Sequence, residues 1–499
     1  MLGLAILGSS CRKDLAYAPS AGHLEFSRDT VFLDTVFTNI GSSTYTLKVY
    51  NRTRDDVEIP SIRLGGGENS NYRLNVDGVA GKSFTNIPIF AQDSIFILVE
   101  TTFDIAATNQ TSFLYTDAIQ FDSGDNFQEV ALVTLVKDAV FLFPSTMPDG
   151  TPETIQVGID DAGNEIRTEG FYLPDDQLMM TNEKPYVIYG YAAVPRGKQL
   201  QIEAGGRIHF HKNSGIYVSE NSSIRINGAL SEDQKLMENE IVFEGDRLEP
   251  GFENIAGQWG SLWISKGSMN NTIDHLTVKN ATIGLLIEGD GTEQSPALTL
   301  KNTQIYNSAT INLWGRTASI EGENCVFGTA GNSSLYCNLG GNYSFTHSTI
   351  ANYWPNGYRS GAALEIDNYN SSASYDLVQA KFVNCIIDGN MAHEVLLRTN
   401  ESNEFNFFFS YCLLKFQGGN GTDENVLYDF NDIALYEQMI LNANTDFWNA
   451  KTNDLRIGAA SAAKAKANQS AAVLIPFDIL GIDRATLPDI GAFQAAPIH

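Results

Sequence analysis

One pattern of apolar and polar residues recurs five times in the second half of the chain. It consists of a short apolar strand, then Asn or a substitute, then a small residue and a second apolar strand, at 300–305, 320–327, 345–350, 382–387 and 409–414. The spacing between copies is uneven, which is typical of a solenoid whose coils share a core but differ in loop length. Because one coil cannot bury its apolar face alone, neighbouring coils must stack. The pattern therefore predicts a stack of parallel β-coils whose function lies on the outer surface.

The region before these copies supports the same architecture. Strands of three to five residues, interrupted by Gly, Asn or Pro, occupy 186–188, 194–202, 204–210 and 223–228 without a helical period. The segment 257–263 (GQWGSLW) with Asn280 and Ala281 resembles right-handed parallel β-helix (pectin-lyase-like) lipoproteins of Gram-negative bacteria. Residues 478–484 and 488–493 resemble the closing motif of that family, in which the tail lies back along the last coils and caps the core. We expect a β-helix over 185–499.

The N-terminal part has a different pattern. Alternating strands separated by polar turns, such as 45–50, 94–99 and 130–136, predict an antiparallel sandwich over 23–144. The segments 37–41 and 47–51 resemble Hydin-like immunoglobulin domains of bacterial envelope proteins, which implies a spacing or docking role. Residues 145–184 are rich in Pro, Asp and Gly and predict a bridge. The expected fold class is all-β, a right-handed parallel β-helix preceded by an immunoglobulin-like β-sandwich.

Three tripeptides in the N-terminal part resemble the Asp-Ser/Thr-apolar acceptor for O-glycosylation of some bacterial envelope proteins. Their hydroxyl residues are Thr30, Thr35 and Ser94. Strands rich in Thr and Val also produce this short motif by chance, so the resemblance makes these three residues candidates only.

The first residues of the chain are typical of a targeting segment. An apolar run leads into small residues and then Cys11, which is typical of the end of a secretion signal. It resembles a bacterial lipobox, which implies lipidation of Cys11, although no Lys or Arg precedes the run and Gly8 replaces the usual Leu. Residues 1–22 are therefore expected to be a lipoprotein signal and tether. The charged residues 12–14 resemble surface-export signals, which implies the outer membrane of a Gram-negative bacterium, on its periplasmic or cell-surface face.

Composition narrows the classes of partner. The chain has 499 residues, is 43% hydrophobic and 18% charged, and so is globular. Its net charge of -27 argues against nucleic acid, because phosphate binding needs a basic stripe. No cofactor is expected, and Ca²⁺ held by clustered carboxylates is the alternative. Cys325, Cys385 and Cys412 share one position of the repeat and predict small, buried, free thiols. A disulfide between Cys385 and Cys412, or a metal site, is the alternative.

The best candidate site combines aromatic, basic and acidic residues. In the strand 364–367, Leu364 and Ile366 are expected to point inward, so that Glu365 and Asp367 point outward on one face. The loop just upstream carries Trp354, Tyr358 and Arg359. Sugars stack on aromatic rings, and Arg binds carboxylates through two bonds. These five residues are candidate glycan-binding residues, while packing of the loop onto the coils is the alternative.

The sequence therefore favours a non-catalytic binding or structural module at the outer membrane or cell surface. The expected partners are the membrane, through a lipid anchor, and a polysaccharide or another envelope protein. The alternative is a polysaccharide lyase or glycoside hydrolase on the same coils. Such an enzyme would bring carboxylates and a Lys or Arg together in a cleft. Whether the chain is an enzyme stays open at this point.

Overall fold

The computed structural model describes residues 17–38, 40–103, 112–160, 162–291, 295–418 and 425–495. The chain divides into two compact units. The first contains the residues up to Ala139 together with Arg247–Phe252, and the second contains Val140–Asp246 and the residues from Glu253 onward. Cys11 lies outside the described residues.

The first unit is a β-sandwich. Its two sheets share one core, in which Leu33 and Ile59 of one sheet meet Leu47, Tyr72 and Ile97 of the other. The first sheet contains Ala18–Pro19, Val57–Leu64, Ser112–Phe121, Gln128–Lys137 and Thr30–Phe37 in that order, with Ser83–Ile89 also paired to Val57–Leu64. The second sheet contains Glu25–Phe26, Tyr45–Tyr50, Ser94–Thr101, Tyr72–Val76 and Val79–Gly81.

The second unit is a parallel β-helix with three sheets, named PB1, PB2 and PB3 here. PB1 contains Thr154–Ile159, Glu165–Tyr172, Tyr191–Val194, Gly215–Val218, Leu262–Ile264, Ile283–Glu288, Ile311–Arg316, Ser333–Asn338, Leu364–Asp367 and Val395–Arg398. PB2 contains Met179–Met180, Gln199–Glu203, Ser223–Asn227, Asn271–Asp274, Leu298–Lys301, Ser319–Glu323, Gly341–Thr346, Leu377–Val383, Phe405–Ser410 and Tyr436–Glu437. PB3 contains Val140–Leu142, Tyr186–Ile188, Arg207–Phe210, Ile241–Gly245, Leu276–Lys279, Gln304–Tyr306, Val326–Phe327, Thr349–Asn352, Ile386–Gly389, Leu413–Leu414 and Ile440–Leu441.

The β-helix begins earlier than the sequence suggested. Val140–Leu142 pairs with the next PB3 strand, Glu165–Tyr172 with the next PB1 strand, and Met179–Met180 with the next PB2 strand, all in parallel. Thr154–Ile159 adds to Glu165–Tyr172 as an antiparallel hairpin. Residues 145–184, expected as a bridge, therefore supply part of the first coil, because their strands find backbone partners in the second.

The repeated Asn positions form the turn between PB2 and PB3. Seven residues occupy this turn with φ between 47° and 55°, the left-handed region that Asn tolerates better than most residues: His275, Asn302, Asn324, His347, Asn384, Tyr411 and Gln438. These seven residues are called the turn ladder. The small residues that follow, among them Thr303 and Ser348, are fully buried. The four cysteines in the described part of the chain are buried and free, as predicted for Cys325, Cys385 and Cys412.

The C-terminal tail covers the outer face of PB3. Its hairpin, Phe447–Asn449 with Asp454–Ile457, precedes a short α-helix, Gln469–Leu474. Tail residues Leu455, Ile479 and Phe493 pack on Val326 and Ala351 of PB3. The sequence resemblance implied that this tail also caps the core. Instead, aromatic and aliphatic residues of the segment 427–439 pack against the core at the last coil.

Short 3-10 helices complete the structure. They are Gly67–Asn69, Gly124–Asn126, Asp175–Gln177, Pro250–Phe252, Val426–Tyr428 and Ala450–Thr452. In the described residues no helix is both long and apolar enough to cross a membrane.

Candidate functional site

The outer face of PB1 carries a column of large side chains. Parallel, in-register pairing places equivalent residues of neighbouring coils about 4.8 Å apart, so each outward position forms a line along the sheet. Leu313 and Leu335 are fully buried in the core. Because side chains alternate along a strand, the residue that follows each of them points outward. This outer column consists of Tyr217, Trp263, Leu286, Trp314, Tyr336, Glu365 and Leu396.

A second column, called the polar column, runs beside the outer column and lies two residues further along each strand. Its members are Glu288, Arg316, Asn338, Asp367 and Arg398. Arg316 is paired with Glu288 at 2.8 Å, and Asn338 donates to Asp367 at 2.8 Å. Neighbouring coils therefore hold one another's polar groups in fixed positions.

The aromatic side chains are anchored at their polar edges. The indole Nε1 of Trp263 donates to Glu288 Oε2 at 3.0 Å, and that of Trp314 donates to Asn338 Oδ1 at 3.2 Å. The rings of Trp314 and Tyr336 lie nearly parallel, 8° apart with centroids separated by 6.1 Å. All three rings are partly exposed. Because the N–H groups of the indoles already have partners, the exposed remainder is mostly apolar ring surface.

Glu365 and Asp367 lie on the predicted face, but they are not exposed. Glu365 Oε1 accepts from Ser333 Oγ at 2.5 Å, and its Oε2 accepts from Arg398 at 2.6 Å. Asp367 accepts from Tyr336 OH at 2.6 Å and from the backbone N–H of Leu339 at 2.7 Å. These partners leave Glu365 3% and Asp367 2% exposed. The side chains stacked above and below cover both carboxylates, which single-strand alternation could not reveal.

Tyr336 is tied to the same group. Burial, followed by the hydrogen bond to Asp367, raises the pKa of Tyr336 above its ordinary value. The phenol therefore stays protonated and keeps donating to Asp367 throughout the physiological range. Arg398 also lies within 3.3 Å of Asp367 and packs over the Tyr336 ring at 6.0 Å.

Of the three loop residues expected to bind glycan, only Trp354 and Tyr358 are accessible. Tyr358 is 90% exposed and Trp354 is partly exposed, with its Nε1 donating to Asn356 O at 3.2 Å. Arg359, expected at the surface, is buried and bonded to Glu394 at 2.6 Å and to Asn390 at 2.9 Å. Burial raises the pKa of Glu394. The guanidinium of Arg359 therefore stabilises the loop from within, and ligand cannot reach it without displacing buried partners.

A cleft of about 680 Å³ opens on the same face at the other end of PB1. Its wall is the hairpin strand Thr154–Ile159, whose Val157 packs with Tyr217. Tyr172, half exposed, lies in the lining, and so does Glu288, which links the cleft to the polar column. Charged side chains complete the lining in pairs, with Arg196 bonded to Glu220 at 2.6 Å and Lys266 near Asp290 at 3.6 Å.

The structure gives no metal centre to this face. Among the described residues, no group of three or more His, Cys, Asp or Glu side chains is arranged to hold a metal ion. Binding of Ca²⁺ stays a prediction.

The candidate O-glycosylation residues lie on strands of the sandwich. Thr30 and Ser94 each begin a strand and are partly exposed, and Thr35 lies within the strand Thr30–Phe37. Their apolar neighbours Val31 and Ile95 point into the core. Attachment at these hydroxyls stays a prediction.

Comparison with known proteins was sparse. No family model and no curated protein matches the chain. Several solved structures show weak similarity. Three of them are the ASH/PapD-like domain 7 of human CEP192 (10% identity, 27% of this chain and 97% of that chain, TM-score 0.16), a family 123 glycoside hydrolase from Clostridium perfringens (8%, 23% and 26%, TM-score 0.17) and the catalytic domain of a GH87 α-1,3-glucanase in complex with nigerose (10%, 76% and 81%, TM-score 0.22). At these TM-scores the similarities carry no argument about activity.

Sequence reasoning missed Trp314, Tyr336 and Arg398. The signal was present, because the PB1 strands share an apolar–X–apolar triplet at 216–218, 262–264, 285–287, 335–337, 364–366 and 395–397, with Gly315 as the last residue of the equivalent triplet at 313–315. Aligning the middle positions of these triplets gives the outer column directly. The recurring Asn marks the PB2–PB3 turn, which lies on another side of each coil.

Proposed function

We propose that the outer face of PB1 is a glycan-binding surface and that the protein binds glycan without cleaving it. The observation that carries the proposal is the pair of nearly parallel rings of Trp314 and Tyr336, beside ordered polar groups on one continuous face. A sugar ring presents C–H groups that pack on aromatic carbon, and hydroxyls that bond to fixed polar side chains.

The arrangement of Glu365 and Asp367 favours binding over hydrolysis at their end of PB1. A glycosidase needs one carboxyl group to donate a proton and another to act as nucleophile or base. The oxygens of Glu365 and Asp367 are occupied by Ser333, Tyr336, Arg398, Asn338 and the Leu339 N–H. Both carboxylates are almost inaccessible to a ligand. They therefore position Arg398 and Tyr336 rather than meet a glycosidic bond.

The proposal extends to family and location. By sequence resemblance the β-helix is pectin-lyase-like and the sandwich is Hydin-like. Lipidation of Cys11 would attach the protein to the outer membrane of a Gram-negative bacterium, where a polysaccharide is within reach. These parts of the proposal rest on the sequence motifs alone.

The test is retention of the protein lacking residues 1–16 on immobilised neutral and acidic polysaccharides, with Trp314→Ala as the variant. Removing one stacking ring is expected to weaken binding about twofold to tenfold, since such contacts contribute about 0.5–1.5 kcal/mol. Trp448→Ala is the matched control, because Trp448 is a partly exposed Trp of the tail hairpin, away from PB1. The control should bind normally.

Two results would oppose the proposal. Equal loss in Trp314→Ala and Trp448→Ala would place binding elsewhere or indicate general damage. New reducing ends, or the absorbance of an unsaturated uronate, would favour the hydrolase or lyase alternative.

A further inference from the structure

The cations along the outer face of PB1 are each matched by a carboxylate. The pairs are Arg196 with Glu220 at 2.6 Å, Lys266 with Asp290 at 3.6 Å, Arg316 with Glu288 at 2.8 Å, and Arg398 with Glu365 at 2.6 Å and Asp367 at 3.3 Å. These five carboxylates outnumber the four cations. The face thus combines high local charge with no net positive charge.

We infer that the glycan held on this face is uncharged. The inference rests on the proposed function and adds the class of ligand. An acidic glycan would need to draw a guanidinium or ammonium group away from its present carboxylate, which would leave that carboxylate next to the incoming anion. A neutral glycan makes no such demand.

The arginines of these ion pairs can still donate hydrogen bonds to sugar hydroxyls. A guanidinium has five N–H donors, and the ion pair of Arg316 with Glu288 uses only part of them. The side chains of Arg316 and Arg398 are 41% and 38% exposed, so their remaining donors can reach ligand. Sugar hydroxyls can bond to these donors while the apolar side of the ring packs on Trp314. The net charge of the whole chain, -27, also disfavours an acidic glycan, because it repels polyanions.

The experiment compares matched polymers that differ only in charge. Hydroxyethyl cellulose, hydroxyethyl dextran and hydroxyethyl curdlan serve as neutral polymers, and carboxymethyl cellulose, carboxymethyl dextran and carboxymethyl curdlan of the same degree of substitution as their anionic counterparts, in affinity electrophoresis with the protein lacking residues 1–16. Alginate and pectin are included as naturally acidic polymers. We expect at least one neutral polymer to retard the protein, and its carboxymethyl counterpart to retard it less.

A second variant tests the cause. Glu288→Gln leaves Arg316 without its carboxylate and should raise retardation by the carboxymethyl form of the bound polymer about twofold to fivefold, the scale of a partly exposed ion pair. Glu323→Gln is the control, since it releases Lys301 on PB2, where the pair lies at 2.9 Å. The control should change nothing.

The outcomes separate the two proposals. Preference for anionic polymers, or retention by alginate or pectin alone, overturns the inference of an uncharged ligand while glycan binding stands. No retention by any polymer overturns both. An unchanged response of Glu288→Gln overturns the role given to charge pairing.

Discussion

At the scale of single residues, the turn ladder contains a histidine, His347, whose pKa is set by its burial in the fold. His347 is fully buried, and its Nε2 accepts a hydrogen bond from Asn384 Nδ2 at 2.9 Å. Burial lowers the pKa of His347 from 6.5 to about 3, with the nearby Arg484 acting in the same direction. The folded protein therefore holds this imidazole neutral.

The lowered pKa predicts an acid-sensitive contribution to stability. The unfolded chain binds a proton at His347 below pH 6.5, whereas the folded chain does so only near pH 3, so the free energy of unfolding falls across this window as pH decreases. The slope from this group approaches about 1.4 kcal/mol per pH unit. His347→Asn, which matches Asn324 and Asn384, should flatten the dependence.

The measurement is urea unfolding of both proteins at several pH values between 7 and 4. The difference between them isolates His347, since all other groups are shared. An identical pH dependence in the variant would show that the imidazole does not contribute.

At the scale of elements, the tail is attached to the turn ladder by one buried cation. Arg484 is fully buried, and its Nη1 donates to Asn324 Oδ1 and to Phe477 O, both at 2.7 Å. Its Nη2 donates to the carbonyls of Gly491 and Ala492. Asn384 also accepts from the backbone N–H of Asn468 at 2.7 Å. The ladder thus serves both to turn each coil and to dock the tail.

Replacing this cation should loosen the tail selectively. Arg484→Met keeps most of the volume but removes the donors, and leaving their buried acceptors unpaired is expected to cost about 3 kcal/mol or more. Limited proteolysis should then cut within 442–495 before the coils are attacked. Arg456→Met is the matched control in the same tail, because its pair with Asp454 is partly exposed and contributes at most about 1 kcal/mol.

Equal protease resistance in the two tail variants would contradict this account. So would simultaneous cleavage of tail and coils in Arg484→Met, since that pattern indicates global unfolding.

The sequence predicted elements better than it predicted the site. The five copies around Asn302, Asn324, His347, Asn384 and Tyr411 identified the repeat, because the left-handed turn selects residue types locally. His275 and Gln438, the first and last members of the ladder, were missed, since the large residues Leu276 and Met439 follow them in place of the small residue of the pattern. The accessibility of Arg359 could not be predicted either, because its partner Glu394 lies on the next coil and enters contact only after stacking.

At the scale of the whole β-helix, the site is a product of stacking. No single coil contains two neighbouring aromatic rings of the outer column, and the parallel register alone assembles Tyr217, Trp263, Trp314 and Tyr336. Tyr217 is buried, whereas the partly exposed rings of Trp263 and Tyr336 are three coil steps apart, which corresponds to about 14 Å at about 4.8 Å per step. A surface of this length suits an extended glycan of several sugars rather than a single one.

The most direct test of the account is hydroxyl-radical footprinting of the full protein with and without the polysaccharide that retains it. Bound glycan should protect Trp314 and Tyr336 from oxidation, because it would lie on their exposed ring surfaces. Trp448 on the tail should be oxidised equally in both samples. Protection of Trp448 with unchanged oxidation of Trp314 and Tyr336 would contradict the assignment of the outer face of PB1 as the glycan-binding surface.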